Sequence, residues 1–395
     1  MLRRTFVQTI IGSLCAHRFV TSPSSPTGLP LLGLCVHLEE INDWDVRILE
    51  ATPGLPIRTD IFWSHVERQK NVYSFAEYAT AFKNIDAITP RLLPILGYGN
   101  PLYDGGSAPV SGSALQAFGR FAAASVEQFK QNINQWEIYN EPNLPQMWKG
   151  STPDSAAYSR LYDTAVDAIR VEDPQALCVP GGLGDTDWRF WLEASQRSVH
   201  GPWTLCALHP YRRAAPETLQ ADVNDLGRAM QQPPQVWITE WGYSRLWQPL
   251  YDDEDLAALL HRAYWSAALA GVQRLYWYQF GTSNPEVPIS GRGFDLVDRS
   301  NRKPTAAWNA FVQLSGLTRR YNHIERLTST RSVYRIALSS ALEHDEILVT
   351  IVPSGERVGD IAERHIEARW GRLTHMSGDV LLGAQQAGAV IYHYQ

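Results

Sequence analysis

The sequence predicts a closed (β/α)8 barrel, an α/β fold of the TIM type, followed by a small antiparallel β domain. Three features carry that prediction: eight short apolar runs between Leu31 and Gly281, segments of helical period between them, and a helix-poor C-terminal stretch. The runs are Leu31–Leu38, Ile57–Trp63, Leu92–Tyr98, Gln135–Asn140, Ala176–Pro180, Thr204–His209, Gln235–Thr239 and Leu275–Phe280. Each is nearly continuous in hydrophobicity, as expected of parallel strands covered on both faces, and successive starts leave room for a crossover helix.

The intervening segments read as helices for local reasons. Leu115, Phe118, Ala122, Val126 and Phe129 recur at three- and four-residue steps, and Leu161, Ala165 and Ile169 recur every four, with Pro174 closing that pattern. The acidic run Asp252 to Asp255 precedes an apolar stretch and places negative charge at a helix N-terminus. An open doubly wound sheet is the competing arrangement, but no glycine-rich phosphate fingerprint follows the first run. The last barrel helix falls at Pro304 to Leu317, and beyond it Ser332–Leu338, Ile347–Val352, His365–Trp370 and Val390–Tyr394 read as short strands. The expected division is a twin-arginine export signal at 1–22, a linker at 23–30, the barrel at 31–318 and a β-sandwich-like domain at 319–395. The signal rests on Arg3 and Arg4 ahead of an apolar stretch too short to span a bilayer. Export would place the chain in the periplasm or outside the cell.

Composition narrows the partners. With 44% hydrophobic residues, 19% charged and a net charge of −6 over 395 residues, the chain has the makeup of a folded globular protein and no basic cluster to grip nucleic acid. No apolar run reaches the ~18 residues that a membrane helix needs. Of the four cysteines, Cys15 would leave with the signal, and Cys35, Cys178 and Cys206 sit in or beside apolar runs as buried thiols rather than a disulfide framework. No Cys/His spacing suggests zinc, and no metal or other cofactor is implied. The 14 Trp and 17 Tyr supply flat faces of the kind that sugar-binding clefts use.

In such a barrel the chemistry sits at the C-terminal ends of the strands. The fourth run ends Asn140-Glu141-Pro142, where Pro142 cannot continue a ladder and Glu141 stands at the lip. The seventh ends Thr239-Glu240-Trp241-Gly242, which puts Glu240 at the matching lip. A carboxylate ending an apolar run is costly unless water, a partner or a substrate satisfies it, and two of them face one opening.

These two signatures resemble those of the clan A glycoside hydrolases. Arg58 with Asp60, Trp63 with Val66-Glu67 and Tyr73-Ser74-Phe75, Tyr98-Gly99-Asn100-Pro101, His209-Pro210-Tyr211 and Gly293-Phe294-Asp295 are similar to family 39, most of all to bacterial members that cut exported biofilm polysaccharide. One departure is Asn71, where relatives place Gly in the turn. The resemblance implies a retaining endoglycosidase acting on a polysaccharide or oligosaccharide, with Glu141 as acid/base and Glu240 as nucleophile. It further implies Arg58 and Tyr211 as the groups that hold Glu240 and Trp277 as a stacking platform, although a Trp in an apolar run suits the core equally well. Asn140 is expected on the sugar hydroxyl beside the reacting carbon or as a strand-end cap, and His209 is expected either to orient the site or to satisfy a core polar group. Trp148, Tyr98, Asn100 and His37 are expected to line the cleft. An exo-acting glycosidase such as a β-xylosidase and a non-catalytic glycan-binding barrel are the alternatives. Oligomeric state is left open by the sequence.

Overall fold

The structure, a computed structural model, describes residues 28–89, 91–148, 152–213, 215–231, 233–247, 251–282, 291–329, 334–340, 345–351, 378–381 and 389–394. The expected export signal, most of the linker and the expected strand His365–Trp370 lie outside the described residues.

The strands β1 (Leu31–Cys35), β2 (Ile57–Phe62), β3 (Leu92–Gly97), β4 (Gln135–Ile138), β5 (Leu177–Pro180), β6 (Leu183–Gly184), β7 (Leu205–His209), β8 (Gln235–Trp241) and β9 (Arg274–Trp277) are all parallel to their neighbours. They hydrogen-bond in the order β5-β4-β3-β2-β1-β9-β8-β7-β6. The two ends of that order, β5 and β6, are successive pieces of one strand interrupted at Gly181-Gly182, so the sheet closes on itself as the expected eight-stranded barrel. The expected seventh and eighth strands are therefore β8 and β9.

Strand parity divides the apolar residues into two layers. Cys35, Leu93, Val179, Leu205, Ala207, Trp237 and Tyr276 fill the barrel interior. The alternate residues, among them Ile57, Ile61, Trp136, Ile138, Cys206, Leu208, Val236, Ile238, Leu275 and Trp277, belong to the larger core shared with the surrounding helices. The helix Gly112–Phe129 starts on a Ser111 cap and buries Phe118, Ala122 and Val126 of the predicted stripe. The helix Asp253–Leu269 carries a capping box between Asp252 and Asp255, which accounts for the acidic run. Gly33 is required by packing, because a Cβ there would stand 2.4 Å from Tyr276 Cδ1 inside the barrel.

A short hairpin of β10 (Val297–Asp298) and β11 (Lys303–Pro304) leads into the last barrel helix, Ala306–Arg320. β12 (His323–Ser329), β13 (Tyr334–Ser340), β14 (Asp345–Ile351), β15 (Gly378–Leu381) and β16 (Ala389–Tyr394) then form an antiparallel sheet in the order β12-β13-β14-β16-β15. The expected sandwich character needs a second layer; among the described residues this region is one five-stranded sheet. Cys35 and Cys206 are buried, Cys178 is half-buried, and all three are free thiols. Among the described residues no helix is long and apolar enough to cross a membrane.

Candidate active site

The inward positions of the strands build the site from below. On β2, Arg58 and Asp60 point into the barrel while Ile57 and Ile61 point out. A cation at this depth must be paired, and Arg58 donates through Nε and Nη2 to both oxygens of Glu137 on β4, at 2.6 and 3.1 Å. Its Nη2 also reaches Asn140 Oδ1 at 2.9 Å, and its Nη1 reaches Glu240 Oε1 at 2.5 Å.

Glu240 would face outward by simple alternation, since Trp237 points in and Ile238 out. The register against β9 shifts between Ile238 and Trp241, and this bulge lets the consecutive residues Thr239 and Glu240 both face the barrel axis. Glu141 arrives by a different device. Tyr139 and Glu141 have φ of 69° and 43°, left-handed conformations that cost a non-glycine residue energy and are retained only where the surroundings enforce them. Here the Glu141 amide donates to Gly182 O at 2.9 Å, Tyr139 Oη to Met147 O at 2.7 Å, and Trp148 Nε1 to Pro142 O at 2.5 Å.

The two glutamates meet across the opening. One oxygen of Glu141, one oxygen of Glu240 and a ring nitrogen of His209 lie within 4.8 Å of one another. His209 Nδ1 is 3.1 Å from Glu141 Oε1 and 3.6 Å from Glu240 Oε2, while Nε2 is 3.0 Å from Thr239 Oγ1. The Tyr211 hydroxyl donates to Glu240 Oε2 at 3.0 Å. Burial alone would raise the Glu240 carboxyl; His209 when its ring is protonated, the charge of Arg58 and the hydrogen bonds from Arg58 and Tyr211 outweigh it and hold the group below the usual Glu range. Among the described residues these three side chains are also the one cluster close enough to share a cation. The Arg58 guanidinium already supplies the positive charge beside Glu240, and both His209 nitrogens are engaged within the cluster.

A second polar strip runs along the rim. His37 Nδ1 is 3.2 Å from Asp60 Oδ2 and its Nε2 is 2.9 Å from Gln279 Oε1. Tyr98 donates to Asp60 Oδ1 at 2.7 Å, and Gln279 donates to Asp295 Oδ1 at 3.2 Å. Burial would lower the His37 imidazole, but Asp60, with Glu39 and Glu40 beyond it, raises it to about 9. His37 and Tyr98 thus stand at the opening, each anchored on Asp60.

Three expected positions fall elsewhere. Trp277 is buried in the layer between barrel and helices, against Tyr243, because its neighbours Tyr276 and Tyr278 take the inward parity of β9. Tyr278 is the neighbour that points inward at the opening, edge-on to His37, Tyr211 and Phe294. Asn100 is buried and ties two loops together, donating to Trp63 O at 3.3 Å and to Glu67 O at 2.8 Å. Trp148 is buried beneath the Glu141-Pro142 turn rather than in the cleft. Sequence reasoning passed over Glu137, Thr239 and Gln279. The available signal for Glu137 was a Glu inside the apolar run of β4, matched by an Arg inside the run of β2.

A parallel barrel with two carboxyl groups facing each other at its C-terminal mouth is the build of a glycoside hydrolase. The glycosyl hydrolase catalytic core model matches residues 114–323, just over half of the chain, and the chain belongs to that family. It is a glycoside hydrolase, and its substrate is a carbohydrate. No curated protein sequence matches it. Among solved structures it is similar to a family 39 glycoside hydrolase from Bacteroides cellulosilyticus WH2, with a TM-score of 0.69 at 19% identity over 93% of this chain and 79% of that one. A GH39 β-xylosidase from Caulobacter crescentus gives a TM-score of 0.58 at 18% identity over 83% and 79% of the two chains. A conserved exported protein from Bacteroides fragilis gives 0.62 at 14% identity over 94% and 99%. Their shared feature with this chain is the fold.

Proposed function

We propose that the chain is a family 39-type retaining glycosidase that cleaves a polysaccharide or oligosaccharide internally by double displacement. The observation that carries the reading is the approach of Glu141 and Glu240, one oxygen of each lying within 4.8 Å of the other. Carboxyl groups about 5–5.5 Å apart suit direct attack on the sugar, whereas inversion needs about 6.5–9.5 Å to seat a water.

Glu240, kept ionised by Arg58 and Tyr211, attacks the anomeric carbon as Glu141 gives its proton to the departing oxygen. The bond to the leaving sugar breaks and an ester to Glu240 forms. Glu141, now ionised, takes a proton from water, whose oxygen displaces Glu240 and restores both carboxyl groups. Asn140, fixed by its Oδ1 on Arg58, is oriented to present its amide N–H to the adjacent sugar hydroxyl. His37 and Tyr98 with Asp60, and Tyr278 across from them, line the sugar subsite. The test is to trap the enzyme with a 2-deoxy-2-fluoroglycoside and digest it: a glycosyl label on the peptide bearing Glu240 is expected, and an unlabelled enzyme yielding inverted product would overturn the mechanism.

The preference for internal cleavage comes from the resemblance to exopolysaccharide-cutting enzymes. Terminal cleavage is the second reading, favoured by the likeness to the Caulobacter crescentus β-xylosidase. A time course on polysaccharide separates them, since oligomer ladders mark internal cutting and a single monosaccharide marks terminal cutting. We also place the enzyme outside the cytoplasm, on the strength of Arg3-Arg4 and the apolar segment after them. Fusion of residues 1–30 to a reporter, with export lost on replacing both arginines by lysine, tests that placement.

A further inference from the structure

Glu137 takes no part in the bond changes above, yet it is wholly buried directly under them. Its Oε2 accepts from Arg58 Nε; its Oε1 accepts from Arg58 Nη2, from the Gly182 amide at 2.9 Å and from the Thr239 hydroxyl at 3.1 Å. A carboxylate forked onto a guanidinium can only accept, so the single proton of Thr239 is committed to it. Thr239 Oγ1, 3.0 Å from His209 Nε2, must then accept on that side, which puts a hydrogen on Nε2. Arg58 Nη2 is 3.5 Å from the same nitrogen, but its hydrogens are directed at Glu137 and Asn140.

The consequence reaches the acid/base. A neutral imidazole with its hydrogen on Nε2 presents Nδ1 as an acceptor, and Nδ1 lies 3.1 Å from Glu141 Oε1. That contact is a hydrogen bond only with a proton between the two groups, held by the Glu141 carboxyl or as a second proton on the ring. We propose that Glu137, acting through the Thr239 hydroxyl, fixes the tautomer of His209 and so keeps a transferable proton on the Glu141–His209 pair. Glu137 and Thr239 are positioning residues, and the proposal rests on the reading of Glu141 as acid/base. The packing leaves the chain no slack: a Cβ at Gly182 would stand 2.1 Å from His209 Nε2 and 2.5 Å from Thr239 Oγ1.

Other titratable groups face the pair without displacing this arrangement. Glu240 lies on the β8 side, 3.6 Å from Nδ1, and Arg58 on the β2 side. Tyr211, edge-on to His209 at 6.5 Å, and Cys35 of β1, which donates to Thr239 O, are both kept neutral chiefly by burial.

The experiment compares Thr239→Val, Thr239→Ser and Glu141→Ala on two aryl glycosides of the sugar that the wild type turns over, one phenyl and one 2,4-dinitrophenyl. Valine removes the acceptor for Nε2–H, so the ring turns to the tautomer with hydrogen on Nδ1, which donates to Glu141 and favours its ionised form. The basic limb of kcat/KM for the phenyl glycoside should move down by about one pH unit, which is about tenfold in rate at a pH above the limb. The dinitrophenyl glycoside needs no protonation of its leaving group and should lose less than about threefold. Serine, which retains the hydroxyl, should restore the limb. Equal loss on both substrates with the limb unmoved, or no change at all, would overturn the proposal; Thr239→Ala repeats the comparison if the valine variant does not fold. Equal loss of both substrates in Glu141→Ala would instead sink the acid/base reading by itself.

Discussion

Arg58 grips Glu240 from within the barrel, Nη1 to Oε1 at 2.5 Å, while it is itself forked onto Glu137. The guanidinium is thus shared between two carboxylates, and only one of them faces the opening. Glu240 keeps its charge without being locked into a private ion pair, as the proposed role of a nucleophile that must later leave requires.

Loss of that nucleophile should be nearly complete. Glu240→Ala is expected to lower kcat by on the order of 10³-fold or more on any substrate, with an unchanged melting temperature. Glu141→Ala should be selective, sparing glycosides with good leaving groups, and added azide should restore part of its turnover by attacking the stranded ester. Product analysis would then find a glycosyl azide of retained configuration; an inert Glu141→Ala enzyme in azide with a good leaving group would contradict the assignment.

The Tyr211 hydroxyl makes the other contact to Glu240, at 3.0 Å to Oε2. A hydrogen bond to a charged acceptor is worth about 1.5–3 kcal/mol, and it stabilises the ionised form. Tyr211→Phe should therefore raise the nucleophile's pKa, by roughly one unit, and shift the acidic limb of kcat/KM to higher pH. The measurement is the limb itself; a lower rate with the limb in place would mean that Tyr211 serves the sugar and not Glu240.

How much of this was legible beforehand depends on parity. The barrel was readable because parallel strands buried on both faces are continuous apolar runs, and the two lips were readable because Pro142 and Gly242 end those runs. The same continuity hides which residues point inward. Trp277 and Tyr278 are adjacent aromatics in one run, and a one-residue difference sends them to opposite faces. At Glu240 the bulge on β8 breaks alternation, so a period of two that correctly sends Thr239 inward would have turned Glu240 away from the site. Asn100 and Trp148 sit in loops, where tertiary contacts to Glu67 and Pro142 decide their direction and sequence spacing does not.

The two aromatics of β9 offer a direct separation of core from cleft. Trp277→Ala should cost about 3–5 kcal/mol of stability, as truncation of a buried aromatic does, with the activity of the folded fraction retained. Tyr278→Ala should leave the melting temperature within a few degrees of wild type and lower kcat/KM by about tenfold, the scale of a lost aromatic contact. Thermal melts and kinetics on both variants check the pair, and the reverse pattern would restore Trp277 to the cleft.

His261 provides a test of the fold away from the site. It lies on the helix Asp253–Leu269, wholly buried, and neither ring nitrogen has a hydrogen-bond partner among the described residues. Burial lowers its pKa from 6.5 to about 4. The unfolded chain therefore binds a proton that the folded chain refuses, so stability is intact above about pH 6.5 and drains away as pH falls towards 4. Leucine at this position has nothing to titrate. His261→Leu should match or slightly exceed the wild type at pH 8 and gain on it by roughly 1 kcal/mol more at pH 5.5. Urea unfolding at the two pH values measures the difference; a gap that stays constant would mean that the imidazole is solvated or partnered and takes up its proton in the native state.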